Sequence, residues 1–361
     1  MRYARLDKWR VCTSTVSNIP AREKFCSGTR LACVKRVCAL RAPLIERYRM
    51  KMFALSVAMS AVFTNAAAGP FAYVPNEKSG TLSVIDIATD TVVRDIAAGK
   101  RPRGIAGDAA GATLYVTDAG NSVLLILDSS GAKAALSVPL GKSPEGVHAS
   151  LDGRYVAVAI EESNSVTVLD ARTRQQVADI KVEGKNPEHA VFSPDGRWLL
   201  VSAEEAEQVD VIDVKLMRQV GTIAVGLRPR GIGFSPDATR AYVAAELVNS
   251  VYVIDMATRR AIATIPAGKN ANGIAVHPSG KHVYVSNGTD GTVMQIDTAT
   301  NTVSATIPVG KRPWNMALTP DGSKLYVANG RSNSVSVIDT ATATKVKDIA
   351  VGELPWGVLI R

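Results

Sequence analysis

Past Cys38 the chain has no cysteine. Its four thiols, Cys12, Cys26, Cys33 and Cys38, are spaced at 14, 7 and 5 residues and match no C-x-x-C metal or redox pattern. The remainder has no means of forming a disulfide, a thiolate nucleophile or a zinc-thiolate centre, and must be held by its core. Charge of one sign is also missing there. Thirteen of the 42 basic residues but only three of the 33 acidic ones lie at or before Lys51, leaving 29 basic against 30 acidic. The formal net charge of +9 belongs to the leader, so the total says nothing in favour of a nucleic-acid partner. No hydrophobic run reaches the roughly 20 residues of a spanning helix. No H-x-E, H-E-x-x-H, G-x-S-x-G or phosphate-loop motif is present, and the histidines (His148, His189, His277, His282) are scattered, so neither a metal nor another cofactor is expected.

The longest apolar run, Met52 to Phe63, is preceded by Lys51 and followed by the small residues Ala66 to Ala68. That order is the pattern of a secretory signal, assigned here to residues 50–69. A signal normally begins a chain, so residues 1–49 are read as a mis-assigned extension or disordered leader, the rival being a genuine Arg-rich extension. The expected destination is periplasmic or secreted, with no membrane anchor after cleavage and a monomeric product.

What fills residues 70–361 is a repeat. A strand-like run ends in Asp86, Asp128, Asp170, Asp213, Asp255, Asp297 and Asp339, at intervals of 42 residues with one of 43. Each unit holds four short runs rich in Val, Ile, Tyr and Thr, separated by turn residues such as SPDG at 193–196. Four antiparallel strands every 42 residues describe an all-β fold, the seven-bladed β-propeller. The end fragments complement each other: FAYVPN (71–76) enters as a second strand, and GVLIR (357–361) supplies only a first. Pairing of these N-terminal strands with the C-terminal strand is expected to close the ring. Each strand-ending aspartate is expected to accept backbone N–H groups of the turn that follows.

A second periodic element joins the units: GKRPRG (99–104), GKSPEG (141–146), GKNPEH (184–189), GLRPRG (226–231), GKNANG (268–273), GKRPWN (310–315) and GELPWG (352–357). Its glycine is expected to supply a positive φ and its proline to start the innermost strand. The fifth slot runs Arg103, Glu145, Glu188, Arg230, Asn272, Trp314, Trp356. Placed between an outermost and an innermost strand, that slot should line one mouth of the central channel as the candidate ligand- or partner-binding ring. Loops on the same face should add a secondary rim of Asn76, Asp118, Glu161, Glu204, Glu246, Asn287 and Asn329. The expected mouth has an acidic sector opposite an Asn/Trp sector, Trp314 and Trp356 offering a platform for a flat ligand and Arg103 a bidentate contact to a carboxylate. The bland alternative is that tryptophans plug the channel and charges pair with one another.

The strands YVPN (73–76), YVTD (115–118), YVSN (284–287) and YVAN (326–329), with N-S-V-x-V-I-D at 249–255 and 333–339, resemble the YVTN-repeat β-propellers over all seven units. RPRGIA and LPWGVLI look most like the propellers associated with pyrroloquinoline-quinone (PQQ)-dependent catabolism. The resemblance implies an exported, non-catalytic binding or scaffold protein beside a periplasmic quinoprotein oxidation system, with a small ligand, a quinoprotein dehydrogenase or a cytochrome c as partner. Two alternatives stay open: a lactonase-like hydrolase using Glu145 or Glu188 as base with Arg103 or Arg230 at an oxyanion, and a single-stranded nucleic-acid binder. Acidic loops on the same face weigh against the last.

Overall fold

The computed structural model describes residues 70–132 and 135–361; the proposed leader and signal segment lie outside the described residues. The strands form seven four-stranded antiparallel sheets. Six are built from consecutive strands, of which Pro313–Leu318, Lys324–Asn329, Ser334–Asp339 and Thr344–Ala350, from innermost to outermost, are typical. The seventh takes its innermost strand, Leu359–Ile360, from the C-terminus and the other three from Phe71–Asn76, Thr81–Asp86 and Thr91–Ala97. Ala72 pairs with Ile360 and Tyr73 with Leu359, which is the closure expected from the end fragments. Numbering this closing sheet as blade 1, blades 2 to 7 follow in chain order.

Why blades must stack is visible in their burial. Within Ser250–Asp255, Val251, Val253 and Ile254 are all fully buried, although neighbouring side chains point to opposite faces of a strand. Each blade is therefore apolar on both faces. Seven hydrophobic clusters result, each joining adjacent blades. Ala157, Val166 and Val168 of blade 3 meet Phe192, Leu199 and Val201 of blade 4, and Tyr326, Val335 and Val337 of blade 7 meet Ala72, Val74 and Ile360 of blade 1. That last seam is reinforced by polar ties: Lys324 Nζ reaches Asp90 Oδ2 at 2.8 Å, Tyr326 donates to Asp90 Oδ1, and Lys347 Nζ donates to the Asp90 carbonyl at 2.7 Å.

The strand-ending aspartates behave as turn residues. Asp86, Asp128, Asp170, Asp213, Asp255, Asp297 and Asp339 each accept a backbone N–H two or three residues ahead. The joint between blades works differently from the expectation. Only the first frame glycine, Gly99, has a positive φ; in the other six frames the left-handed residue is the third, namely Ser143, Asn186, Arg228, Asn270, Arg312 and Leu354. The frame glycine is needed instead for close approach. A Cβ on Gly310, Gly352 or Gly268 would lie 2.6 to 2.7 Å from the carboxamide carbon of Asn329, Asn76 or Asn287.

Slots five and six then fall in a β-bulge. Pro102 faces Asp118 and Ile105 faces Val116, three residues of the inner strand advancing against two of its partner, and five other blades repeat the irregularity next to the frame. The bulge takes slot five out of the ladder and turns it to the axis. Hydroxyls fix it there: Thr117, Ser202 and Ser286 each donate at 2.6 Å to the slot-five carbonyl of the next blade, on Glu145, Arg230 and Trp314.

Closure predicts a graded response in thermal or urea unfolding of the full chain. Ile360→Ala should cost about 2–5 kcal/mol as a core truncation. Deleting residues 357–361 should cost more and broaden the transition. Val346→Ala, exposed on an outermost strand, should cost under about 0.5 kcal/mol.

Candidate functional site: the axial cavity

All seven slot-five residues line one cavity of about 330 Å³ at the centre of the ring. Arg103, Glu145, Glu188, Arg230, Asn272, Trp314 and Trp356 are joined there by Glu77, Arg101, Ser143, Glu161, Glu204, Arg312 and Asn315. Two of its lining residues make further contacts around the axis: the Trp356 ring lies 5.5 Å from the His189 ring at 44°, and Asn315 Nδ2 donates to the Trp356 carbonyl at 3.4 Å.

His189 and Asn315 occupy slot six of the frame. In the other five frames this slot is glycine, and at Gly104, Gly146, Gly231 and Gly273 a Cβ would stand 2.4 to 2.6 Å from a carbonyl oxygen of the next inner strand. Two side chains are thus admitted at this slot, and Asn315 lines the cavity. Buried His189 is pushed down to about 3, chiefly by loss of solvent with Arg230 and His148 adding repulsion, so its imidazole is neutral. Its Nε2 is buried without a hydrogen-bond partner.

The expected secondary rim divides into two positions. Asn76, Asp118, Asn287 and Asn329 end the second strand, are fully buried and do not line the cavity. Three of them brace the frame behind it, while Asn76 bonds the neighbouring strand and its Oδ1 has no hydrogen-bond partner. Asp118 accepts the Lys100 and Arg101 N–H groups at 2.9 Å, Asn287 accepts Gly268 N–H at 3.0 Å, Asn329 accepts Gly310 N–H at 3.1 Å, and Asn76 donates to Ser83 at 3.0 Å. One residue later the loops present Glu77, Ala119, Glu161, Glu204, Glu246, Gly288 and Gly330. Of these Glu77, Glu161 and Glu204 reach the lining, and Glu246 stands behind Arg230.

The two slot-five arginines are spent on these acids. Arg103 donates to Glu77 Oε1 at 3.1 and 3.2 Å and contacts Glu145 through Nη1. Arg230 reaches Glu246 at 2.7 Å and Glu204 at 2.6 Å, and contacts Glu188 through Nη1. The charges pair with one another, as the bland reading expected, and the Arg103 donors expected to meet a carboxylate of a ligand are taken up by Glu77 and Glu145. Slot-three residues extend the network: Arg101 to Glu77 at 2.7 Å, Arg228 to Glu204 at 2.9 Å, and Ser143 Oγ to Glu161 at 2.6 Å.

Burial still dominates the central acids. Loss of solvent, with repulsion from Glu188 and Glu161, outweighs the Arg103 attraction and pushes Glu145 up to about 8. Glu188 is pushed up to about 7 by burial, offset by Arg230 and reinforced by Glu204. Glu188 shares a side-chain hydrogen bond with Glu204 that favours the proton on Glu188, and Glu145 is likewise held toward its protonated form. Glu204, half-exposed beside Arg230 and Arg228, is held below its ordinary value despite its own desolvation. Of the other histidines, His148 accepts the Phe192 N–H at 3.3 Å on an inner strand and His277 bonds Ser279 in a turn. Among the described residues no group of acids, histidines or cysteines has metal-ligand geometry.

Two family models match parts of the chain, one described as a seven-bladed β-propeller lactonase over residues 217–350 and one as a YNCE-like β-propeller over residues 105–280. Similar solved structures include Kuenenia stuttgartiensis hydrazine synthase, with 24% identity and a TM-score of 0.65 over 71% of this chain and 88% of that one. A functionally unknown protein from Desulfotomaculum acetoxidans DSM 771 has 17% identity and a TM-score of 0.70 over 80% and 98%. The dihydro-heme d1 dehydrogenase NirN in complex with DHE has 16% and 0.60 over 80% and 74%. At these identities the likeness establishes the propeller fold. No curated protein matches the chain.

Two stability measurements check the charge network. Arg230→Gln strands Glu188, Glu204 and Glu246 and should cost about 3–5 kcal/mol in urea unfolding, whereas Arg101→Gln, half-exposed, should cost under about 1. Glu145 and Glu188 hold protons more tightly folded than unfolded, so their stabilising contribution is complete below about 4.5 and lost as pH rises through about 7 and 8. The melting midpoint should therefore fall as pH rises from about 4.5 to about 8 and level off above that. Glu188→Gln should flatten that fall, and an unchanged slope would show that Glu188 ionises normally.

Proposed function

We propose that this is an exported, non-catalytic binding propeller whose axial cavity holds a small polar ligand, in the setting of a periplasmic quinoprotein oxidation system. One observation carries the reading: one slot of a repeated frame brings seven side chains of four kinds, two Arg, two Glu, one Asn and two Trp, to a single cavity. A purely structural joint has no need of Arg, Glu, Asn and Trp in succession. The cavity volume lies in the range of small-molecule sites, and side chains from the frames of all seven blades line it. Polar side chains outnumber apolar ones on its wall, which favours a hydroxylated or charged ligand over a hydrocarbon. The quinoprotein setting rests on the sequence resemblance of the RPRGIA and LPWGVLI segments.

The lactonase-like alternative is favoured by the family-model match over 217–350 and by Glu188 and Glu145, whose raised values suit proton transfer near neutral pH. Against it, Arg103 and Arg230 are bound to internal carboxylates and leave no free donor pair for an oxyanion. The nucleic-acid alternative loses its main support with the burial of Trp356 against His189, since stacking needs an accessible ring face.

Calorimetry on the full chain with sugars, sugar acids, sugar lactones, quinones and oligonucleotides tests these readings together. Saturable binding of a small molecule, weakened by Trp314→Ala or Asn272→Ala and unaffected by Val346→Ala, is expected. Lactone turnover abolished by Glu188→Gln would establish the hydrolase instead. Absence of any small-molecule binding overturns the proposal.

A further inference from the structure

We propose that Arg312 and Trp314 form an anion subsite within the axial cavity, and that the ligand carries a carboxylate on a flat ring. The inference rests on the cavity being a ligand site and goes on to name the chemistry of that ligand.

Its ground is a break in a pattern. Where slot three of the frame is arginine, the residue takes its counter-charge from the acid at the loop position of the preceding blade. Arg101 of blade 2 takes Glu77 of blade 1 at 2.7 Å, and Arg228 of blade 5 takes Glu204 of blade 4 at 2.9 Å. Arg312, entering blade 7, meets Gly288 at that position in blade 6, and the loop of its own blade offers Gly330. The expected acid is missing on both sides.

Arg312 has one ionic contact, Nη2 to Glu246 Oε1 at 3.5 Å, and its guanidinium has no hydrogen bond among the described residues. Glu246 is not free to give more. Its Oε2 already meets Arg230 at 2.7 Å and Arg228 at 3.3 Å, and its Oε1 accepts from Asn270 Nδ2 at 3.1 Å. Partial burial, with lesser repulsion from Arg331, Arg230 and Arg228, lowers the Arg312 pKa despite Glu246, and an added anion would offset that repulsion. The guanidinium remains charged, lines the cavity, and lies 5.9 Å from the centre of the Trp314 ring.

A planar guanidinium with free donors suits a carboxylate, which it grips through two parallel hydrogen bonds. The adjoining indole face suits a flat ring, offset-stacked. Gly330 allows that placement, because a Cβ there would stand 2.8 Å from the Trp314 ring. The remaining polar wall near Arg312, Asn272 and Asn315, can hydrogen-bond further oxygens without adding charge.

Benzoate binding to the full chain, measured by calorimetry, provides the test, with benzamide and cyclohexanecarboxylate as matched probes. Benzoate should bind best, benzamide being uncharged and cyclohexanecarboxylate lacking a flat face. Arg312→Gln should weaken benzoate by about tenfold to a hundredfold, the scale of a lost charge-assisted pair. Gly288→Glu should do the same by restoring the absent acid. A Cβ at Gly288 approaches nothing closer than 3.4 Å and its backbone is outside the left-handed region, so this variant should keep the wild-type melting midpoint. Benzoate binding unchanged in both variants, or cyclohexanecarboxylate binding as tightly as benzoate, overturns the subsite. If a neutral sugar binds in a Trp314-dependent manner while no carboxylate does, the subsite fails and the cavity's role as a ligand site stands. If nothing binds, both fall.

Discussion

Everything in this molecule depends on the fact that a single blade cannot hide itself. A four-stranded sheet with Val, Ile and Tyr on both faces must be covered on both, and a row of such sheets always leaves two faces open. Joining the row into a ring removes them. The last residues of the chain make that join, with Ile360 buried between Ala72 and Val337 in the seam between blades 7 and 1. Lys324, Tyr326 and Lys347 tie the same seam through the Asp90 turn. A ring has an axis, and the axis is where the repeat stops being uniform.

Crowding around that axis explains the composition of the frame. Inner strands converge until a Cβ at most slot-six positions would collide with the neighbouring backbone, so glycine recurs there. Slot five, released by the bulge, is the nearest position able to hold a full side chain. Its identity is free of the backbone demands that fix its neighbours, and seven blades can therefore offer side chains of four different kinds to one space. The hydroxyls of Thr117, Ser202 and Ser286 hold alternate members by their carbonyls and leave the side chains undictated.

Electrostatics then divide the ring into two halves. In blades 2 to 5, arginines and glutamates are close enough and buried enough that each must be answered by another, and their mutual pairing leaves little for a ligand. Toward blades 6 and 7 the acids lapse to Gly288 and Gly330. Arg312, Asn272 and Trp314 face the cavity there with unspent valence. A binding site needs such a sector, because a group already satisfied inside the protein gains little from a guest.

Periodicity in the sequence determined the number of blades, their strand order, the turn role of the seven aspartates and the ring formed by slot five. These are local or symmetric properties: a repeat of 42 residues with four β-rich runs has few ways to bury itself, and one slot repeated seven times must form one ring. The sequence did not determine which charges meet. Asn76, Asp118, Asn287 and Asn329 looked like rim residues because they precede the loop by a single position, yet the pleat turns them inward, where Asp118, Asn287 and Asn329 brace the frame. The frame glycine looked like a positive-φ residue, but its role is to make room for those braces. Arg312, His189 and Asn315 stood in the columns near slot five, and their importance follows from neighbours contributed by other blades, some more than a hundred residues away in the chain. Pairing across a ring depends on distances that only the tertiary structure decided, since Coulomb attraction and steric exclusion act through space and not along the sequence.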